Sequence, residues 1–372
     1  MRRMHFDTFT FGFTFQCNLN CTYCYERDYR GRNEFTMAEI EEFVYPAIES
    51  VQPKNLDIDG GEPTVRWKDL ITFLENVTSF GSIELVNICS NGIKLTEERV
   101  KTIEKILGKD LYLVFSLSLD ALSPKEDARA PLLHEHQLNA VKRLYEMKQP
   151  FILQNTVNKL NLPVMDDYLH RLQNMGILVG LTPVGFGPSE LALSREEMRQ
   201  LDKLRMEYLL DPILAVDQTP LPINPDVWKE ELLPVFEMFE IDMCFGDPAC
   251  SSAISVRANG DVKPCAMHDF ALGNISEKPL PEICNHKYAQ KLRKLDVGEP
   301  CRSCRYVVQC KAGCKVRAKM ETGNYLGGVQ SCYYQTTKDA PHPDEERLTE
   351  LLLNRIELEN IAKYLDVLGK ND

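Results

Sequence analysis

Three cysteines near the start of the chain have a spacing that suits an iron–sulfur cluster. Cys17, Cys21 and Cys24 form a C-x3-C-x2-C run directly after an alternating apolar segment, Phe11 to Phe15. Three thiolates on one loop can hold three corners of a cubane [4Fe–4S] cluster and leave the fourth iron without a protein ligand. An open coordination position is typical of a reactive metal site, whereas a structural site closes its shell. The run therefore predicts a cluster whose fourth iron chelates a small molecule through an amine and a carboxylate.

Eight further cysteines lie in the last third of the 372-residue chain. They are Cys244, Cys250, Cys265, Cys301, Cys304, Cys310, Cys314 and Cys332. A cluster that binds nothing reactive needs four ligands, so one triad and two tetrads use all of the 13 cysteines except Cys89 and Cys284. Zinc is the alternative for this block, because Cys301-x2-Cys304 is a common zinc pair. The N-terminal triad favours iron–sulfur clusters instead.

The elements that must position the triad alternate between β-type runs and amphipathic helical stretches. The predicted strands are Thr10–Phe15, Leu56–Asp59, Ile83–Ser90, Leu111–Leu119, Phe151–Val157 and Leu178–Val184. The predicted helices are Met37–Val51, Trp67–Phe80, Glu97–Leu107, His134–Lys148 and Val164–Met175. This alternation predicts an α/β fold with a parallel sheet and right-handed crossovers. Such a fold carries its site at the carboxyl ends of the strands, which is where the triad follows the first strand.

Capping motifs and composition suggest four segments. Residues 1–190 form the α/β unit, and its first helix opens with a capping box, Thr36 and Glu39. Residues 191–240 form a proline-containing helical bridge that opens with a second capping box, Ser194 and Glu197. Residues 241–335 form a cysteine-rich domain with few long apolar runs, so its clusters are expected to supply much of its stability. Residues 336–372 form a C-terminal amphipathic helical tail.

Composition and charge exclude several classes of protein. The hydrophobic fraction is 44% and the charged fraction 26%, as in ordinary globular proteins. The net charge of −12 argues against nucleic-acid binding. No apolar run approaches the length of a transmembrane helix. A disulfide framework is not expected, because the cysteine count is odd and no secretory signal is visible. Reduced thiols and oxygen-sensitive clusters predict a cytoplasmic protein.

The triad, and the spacing of the later cysteines around Gly260, resemble those of radical S-adenosylmethionine (radical SAM) enzymes with a SPASM domain. The resemblance implies a partial (β/α)6 barrel followed by a SPASM domain and a C-terminal helix. It also implies SAM, three [4Fe–4S] clusters and a reductant such as flavodoxin or ferredoxin. In this family one electron splits SAM into methionine and a 5′-deoxyadenosyl radical, which removes a hydrogen atom from the substrate. By resemblance, the triad binds the SAM cluster. Auxiliary cluster I is then held by Cys244, Cys250, Cys265 and Cys314, and auxiliary cluster II by Cys301, Cys304, Cys310 and Cys332.

Four short segments resemble SAM-binding motifs of the family. The candidate SAM-binding residues are Gly60, Gly61 and Glu62 after strand two, Ser90 and Asn91 after strand three, Ser116 and Ser118 in strand four, and Arg129. The glycines allow close backbone approach to a ligand, and an arginine fork suits a carboxylate. The alternative is that these residues form ordinary turns, since exposed polar loop residues are common.

Four residues outside these sets are assigned no chemistry. Cys89 is expected to fill a small pocket beside its strand, and Cys284 is expected to lie in a loop without a ligand role. His134 and His136 begin a helix and are expected to face solvent.

The substrate predicted from this resemblance is a peptide. SPASM enzymes mature ribosomally made peptides by forming thioether or carbon–carbon crosslinks, or by excising part of the backbone. Many relatives carry an N-terminal leader-recognition domain of roughly 80 to 100 residues, which is domain-sized. Only 16 residues precede Cys17, so either a separate protein recognises the precursor or the enzyme reads the peptide directly.

Three alternatives remain. The cysteine spacing also resembles anaerobic sulfatase-maturating enzymes, which make formylglycine and carry an Asp, proposed as the base, after the third SPASM cysteine. Here that place is Ala266, so His268 or Asp269 would have to stand in as the base. A second alternative is an enzyme acting on small molecules such as sugars or porphyrins. A third, of another class, is a non-catalytic metal-binding structural or interaction protein.

Overall fold

A nine-stranded sheet organises the computed structural model, which describes residues 6–175, 177–185, 187–205, 250, 253–304, 307 and 311–333. The strand order is β6-β5-β4-β3-β2-β1-β7-β8-β9. The strands are β1 (Thr8–Thr14), β2 (Asn55–Gly60), β3 (Leu85–Ser90), β4 (Tyr112–Ser118), β5 (Phe151–Val157), β6 (Leu178–Pro183), β7 (Ala253–Val256), β8 (Asp261–Lys263) and β9 (Gly273–Asn274). The pairs from β1 to β6 are all parallel, and β7 is parallel to β1.

Helices connect the parallel strands. They are α1 (Met37–Glu39), α2 (Tyr45–Val51), α3 (Trp67–Val77), α4 (Glu97–Leu107), α5 (His134–Met147), α6 (Met165–Asn174) and α7 (Arg195–Arg205), followed by α8 (Leu280–Ile283), α9 (Lys287–Arg293) and α10 (Lys315–Thr322). Six strands in sequential order with right-handed crossovers place their helices on one face of the sheet. The other face, here called the inner face, faces the interior of a partial barrel. The predicted α/β class and parallel sheet are thus confirmed.

The core between sheet and helices comes from the alternation of the strands. Phe11 and Phe13, two residues apart on β1, both pack against Phe73 of α3, with ring centroids 5.4 and 5.6 Å apart. Tyr45 of α2 lies 5.8 Å from the same ring. The residues that alternate with the phenylalanines along β1 face the opposite side of the sheet, since strand side chains alternate. One period-2 pattern therefore produces an apolar helix side and a polar inner face.

Both predicted capping boxes are present. Thr36 accepts a hydrogen bond from the backbone N–H of Glu39, whose side chain accepts from Thr36 in return. A five-residue π segment, Ile40–Val44, joins α1 to α2, so the predicted helix Met37–Val51 forms with one wide turn. Ser194 and Glu197 make the same exchange before α7.

The segment boundaries proposed from composition stay predictions. Residues 206–249, which include most of the proposed bridge, and residues 334–372, which include the proposed tail, lie outside the described residues.

Strand β7 extends the main sheet, which the sequence did not predict. It pairs with β1 from Thr8↔Ala253 to Phe11↔Val256 and turns into an antiparallel hairpin with β8. Gly260 closes that turn at φ +85°, where a Cβ would lie 2.4 Å from the ring of Phe35. Both the positive φ and the close ring require glycine at this position. The cysteine-rich segment is therefore tied into the barrel sheet at its first strand.

Replacing Phe73 with alanine tests the central packing of the core. Phe73→Ala removes a fully buried ring that packs against two phenylalanines of β1 and Tyr45 of α2, so we expect a loss of about 3–5 kcal/mol in the free energy of unfolding. Denaturant-induced unfolding measures the change. Leu132→Ala is the matched control, because that side chain is 96% exposed. Equal stability of the two variants would contradict the packing described here.

Candidate functional site

A chain of hydrogen bonds crosses the inner face of the sheet over four strands. Ser116 Oγ donates to Asn87 Oδ1 at 2.9 Å, and Asn87 Nδ2 donates to Asp57 Oδ1 at 3.1 Å. Thr10 Oγ1 donates to Asp57 Oδ2 at 3.5 Å. Ser116 is buried in this chain, while Ser118, two residues along, is only half-buried. The inner face is therefore a hydrogen-bonding surface rather than an apolar one.

The loop that carries Cys17, Cys21 and Cys24 leaves the carboxyl end of β1, as predicted. The carboxylate of Glu34 organises its start by accepting from the Phe15 backbone N–H at 2.8 Å and from Gln16 Nε2 at 2.8 Å. Further along, the Asn91 side chain donates to Asn18 Oδ1 at 2.8 Å. The cysteine loop is thus fixed both to its own strand and to the end of β3.

The three thiols share one small apolar cluster with Leu19 and Tyr23. Burial raises the pKa of the Cys21 thiol to about 11, although the nearby charge of Arg129 acts to lower it. Burial likewise raises the pKa of Cys17 above its usual value. Both thiols are therefore protonated in the metal-free loop, and an iron–sulfur cluster would displace those protons.

The donor set fits the cluster that the spacing predicts. The Leu19 N–H points to Cys17 Sγ at 3.4 Å, and Arg30 Nη2 lies 4.0 Å from Cys24 Sγ. Such groups stabilise thiolates. Within the described ranges, no three His, Cys, Asp or Glu side chains are grouped to hold a metal ion. A cubane cluster does not require such a group. Each thiolate binds a different iron of the cluster, so the cysteines of one cluster lie farther apart than the ligands of a single metal ion.

Gly60 and Gly61 are packed against the end of β1. The N–H of Gly61 donates to the Thr14 carbonyl at 2.7 Å, and the N–H of Glu62 donates to the Gln16 carbonyl at 2.8 Å. A Cβ on Gly61 would lie 2.2 Å from the Gln16 carbonyl oxygen, which is backbone and cannot move aside. The glycine pair is required for the two strand ends to approach, whether or not SAM is bound.

Glu62 is fully buried and joins the ends of β2 and β3. Its carboxylate accepts from the Asn91 N–H at 2.7 Å, from Ser90 Oγ at 2.9 Å and from the Thr64 N–H at 3.2 Å. Burial raises the pKa of Glu62, against these hydrogen bonds, which act to lower it. Three of the predicted SAM-binding residues, Glu62, Ser90 and Asn91, therefore meet in one network.

Arg129 is held beside the cysteine loop by Asp120. Its Nη2 lies 3.0 Å from Asp120 Oδ1 and 3.1 Å from Thr156 Oγ1, while Tyr23 donates to the other oxygen of Asp120. Although burial acts in the opposite direction, the carboxylate of Asp120 raises the pKa of Arg129 above its usual value. The guanidinium also lies over the Tyr23 ring, 5.6 Å from its centroid. Arg129 is thus a fixed cation next to Cys21.

The two candidate bases differ in exposure. His268 is 1% exposed, its ring stacks on Tyr325 at 4.3 Å, and its Nε2 lies 3.2 Å from the Tyr288 hydroxyl. Asp269 is exposed, and its N–H donates to the Tyr325 hydroxyl. Their role as bases stays a prediction. The Met267 sulfur of the same loop would lie 3.4 Å from a Cβ on Gly185, two residues after β6.

Six of the eight predicted auxiliary ligands lie in described residues: Cys250, Cys265, Cys301, Cys304, Cys314 and Cys332. Cys244 and Cys310 lie outside them, so the two sets of four stay predictions. Arg293 donates to the carbonyls of Cys250 and Cys284, at 3.1 and 2.7 Å. Burial raises the pKa of Cys284 to about 12, which keeps it a neutral thiol.

The sequence interpretation was wrong about His134. It is 4% exposed, and its Nδ1 lies 2.9 Å from Asp127 Oδ2. Asp127 also accepts from the backbone of Arg129 at 2.8 Å, so a buried carboxylate provides the partner that lets the imidazole leave water. His136, by contrast, is exposed as predicted.

The sequence also missed Arg257, which follows β7 and is 1% exposed. It forms ion pairs with Glu26 and Asp59, the latter at 3.3 Å. Asp59 ends a predicted strand and directly precedes Gly60, and Glu26 lies two residues after Cys24, so both acids flank motifs already singled out. Their partner comes from about two hundred residues away along the chain and carries no local signal.

Two family models match the chain. Residues 12–183 match the radical SAM superfamily, and residues 244–305 match the SPASM iron–sulfur cluster-binding domain. No helix in the described part of the chain has the length and apolarity needed to cross a membrane.

Known proteins of several activities are similar to this chain. An AdoMet-dependent heme synthase of Methanosarcina barkeri is 26% identical, over 87% of this chain and 95% of its own length. The sporulation killing factor maturation protein SkfB of Bacillus subtilis is 23% identical, over 78% of this chain and 70% of its own.

Solved structures share the fold. anSMEcpe with bound AdoMet and a bound peptide has a TM-score of 0.64 at 17% identity, covering 96% of this chain and 99% of that one. Streptococcus suis SuiB bound to its precursor peptide SuiA has a TM-score of 0.60 at 18% identity, covering 88% and 76%. The predicted barrel architecture is confirmed by these likenesses.

A change at Glu62 tests the buried network through its pH dependence. Because burial makes the pKa of Glu62 higher in the folded than in the unfolded chain, its contribution to stability is fully present below the unfolded value, about 4.3, and is lost as the pH rises through the folded value. Gln cannot titrate. The stability lost in Glu62→Gln should therefore be largest at low pH and shrink as the pH rises.

The effect is measured by denaturant unfolding of the metal-free protein, from a pH below the unfolded pKa of Glu62 to a pH above its folded pKa. Glu104→Gln, at an exposed position of α4, is the control and should show no such trend. A penalty for Glu62→Gln that is independent of pH would contradict the shifted pKa.

Iron analysis tests the three cysteine sets. The reconstituted protein should hold about twelve irons, and the variant with Cys17, Cys21 and Cys24 all changed to Ala should hold about eight. Cys284→Ala is the matched control and should keep the full content, because that cysteine belongs to none of the three predicted ligand sets. Two zinc ions in place of the auxiliary irons would contradict the assignment.

Proposed function

We propose that this chain, a radical SAM protein that also carries a SPASM domain, modifies a ribosomally made peptide after translation. The reaction class is a hydrogen-atom abstraction followed by formation of a thioether or carbon–carbon crosslink, or by backbone excision. The observation that carries the proposal is the polar inner face of the barrel. A peptide presents amides and polar side chains that such a surface can hydrogen-bond.

The cofactors follow from the two domains. A radical SAM domain implies SAM and a [4Fe–4S] cluster, and a SPASM domain implies additional clusters. When bound, these groups supply a radical that takes a hydrogen atom from the substrate and a route for the electron that the substrate radical then loses.

The chain's own residues would bind the cluster and SAM, orient them and exclude water. The triad Cys17, Cys21 and Cys24 would hold the SAM cluster. The backbone of Gly60 and Gly61, fixed by Glu62, and the cation of Arg129 stand beside it for the polar groups of SAM. Each is already held by hydrogen bonds to other protein groups before a ligand arrives, so little ordering is left to cost binding energy.

Two likenesses support a peptide substrate. SkfB is by name a maturation protein for a sporulation killing factor, and SuiB is solved with its precursor peptide. A reductant such as flavodoxin or ferredoxin, and a separate leader-recognition protein, belong to the proposal as partners to be tested.

A second candidate is a porphyrin-type substrate, which the heme synthase relative favours. The polar side chains that four strands place on the inner face favour a peptide over it, because an extended apolar ring system makes fewer hydrogen bonds with such a surface. Formylglycine formation is a third outcome, and it would use His268 or Asp269 as the base.

Mass spectrometry of small peptides encoded beside the gene tests the proposal. Each peptide is co-expressed with this chain without oxygen, with and without candidate recognition proteins. We expect one peptide to lose two hydrogens or a backbone fragment. The control is the variant with Cys17, Cys21 and Cys24 changed to Ala, which should leave every peptide unmodified.

Unmodified peptides together with SAM cleavage would refute the proposed peptide substrate. Conversion of a sulfatase peptide or of a porphyrin would then identify the substrate class that replaces it. Absence of SAM cleavage by the reconstituted, reduced protein would favour a binding protein.

A further inference from the structure

Arg257 has the largest fully buried side chain in the described part of the chain, and it crosses from the SPASM strand to the barrel. It follows β7 directly and is 1% exposed. Its guanidinium lies flat against β1, where a Cβ on Gly12 would be 2.8 Å from Cζ. The group therefore sits on the inner face, at the carboxyl end of the strand that leads into the cysteine loop.

The two partners of Arg257 belong to the two halves of the predicted SAM site. Glu26 lies two residues after Cys24, and its Oε1 pairs with Nη2. Asp59 directly precedes Gly60, and its Oδ1 lies 3.3 Å from Nη1. One guanidinium thus spans the cysteine loop and the end of β2.

Glu26 depends on this contact. It is 2% exposed, and among the described residues its second oxygen, Oε2, is buried without a hydrogen-bond partner. A buried carboxylate left without its cation is strongly unfavourable. Arg257 is therefore the group that fixes Glu26, and through it the loop segment after Cys24.

The neighbouring strand makes a second contact with the same loop. Lys263 of β8, 3% exposed, donates to the Tyr29 hydroxyl at 2.8 Å, and Tyr29 stacks on Phe15 with ring centroids 5.4 Å apart. Residues 26–29 are therefore held from the SPASM hairpin at two points.

From this geometry we propose that Arg257 is a positioning residue for SAM binding, contributed by the SPASM strand. It sets the position of the cysteine loop relative to the Gly60–Gly61 turn by holding Glu26 and Asp59 together. The radical SAM site is then completed only when β7 is paired with β1. This role is independent of which substrate the enzyme modifies.

The test compares three arginine variants of the cluster-reconstituted full chain. Arg257→Met removes the charge and keeps the length, and Arg257→Lys keeps the charge but loses the fork. Arg205→Met is the matched control: Arg205 is also a buried guanidinium, 4% exposed, but it donates to the Leu181 carbonyl and to Asp202, away from the cysteine loop.

Two readouts do not require substrate. SAM binding is followed by the change it causes in the electron paramagnetic resonance spectrum of the reduced cluster. Hydrogen exchange reports the protection of amides 17–30. For Arg257→Met we expect SAM affinity to fall about tenfold or more and the loop amides to exchange faster, whereas Arg205→Met keeps both at the parental level despite its lower stability. Arg257→Lys should recover part of the affinity.

The double variant Arg257→Met with Glu26→Gln separates positioning from charge compensation. It removes the unpaired carboxylate, so thermal stability should recover, while SAM affinity and loop protection should stay low. Parental SAM affinity in either Arg257→Met or the double variant, with the protein folded, would overturn the proposal.

Discussion

The carboxylate of Glu62 has no access to solvent, and the carboxyl edge of the sheet is built to satisfy it. Burying a carboxylate is costly unless it is hydrogen-bonded, and the ends of β2 and β3 supply bonds to both oxygens of Glu62 through Thr64, Ser90 and Asn91. Asn91 in turn holds Asn18 in the cysteine loop. The positions of two strand ends and of the cysteine loop therefore depend on how one buried side chain is hydrogen-bonded.

Buried charge pairs fix the same edge at other points. Asp120 binds Arg129 beside Tyr23, and Arg257 binds Glu26 and Asp59. Farther away, Arg317 pairs with Asp202 and links the cysteine-rich segment to α7. Such pairs rarely add net stability, because removing the charges from water offsets most of their attraction. Their value lies in geometry, since a misplaced partner leaves a charge unpaired and is therefore disfavoured.

Much of the fold could be predicted from the sequence. The strand Phe151–Val157 and the helix Glu97–Leu107 were predicted with the same boundaries, because local periodicity and a capping threonine define them. The cysteine loop after the first strand was predicted from the spacing of its cysteines alone. Pairing of β7 with β1 could not be predicted, since a four-residue strand has too short a pattern and its register depends on residues 245 positions away.

The side chains of the site were predictable in identity but not in partner. Ser90 and Ser116 were singled out as polar groups at strand ends, and Arg129 as a partner for the carboxylate of SAM. Each bonds instead to another protein group: Glu62, Asn87 and Asp120, respectively. His134 was expected to face solvent because nothing in the sequence indicates its partner, Asp127, which lies seven residues earlier in a loop. Hydrogen-bond partners depend on three-dimensional approach, which residue spacing does not encode.

The place of β1 in the sheet has a consequence for biosynthesis. β1 is made first, yet one of its edges stays unpaired until β7 has left the ribosome. At about 5–20 residues per second, synthesis of the intervening chain takes tens of seconds. During that time the nascent barrel presents an open strand edge rich in phenylalanine, of the kind that recruits other strands into aggregates. Yield of the folded protein should therefore depend on translation speed and chaperone supply as much as on the supply of iron and sulfide.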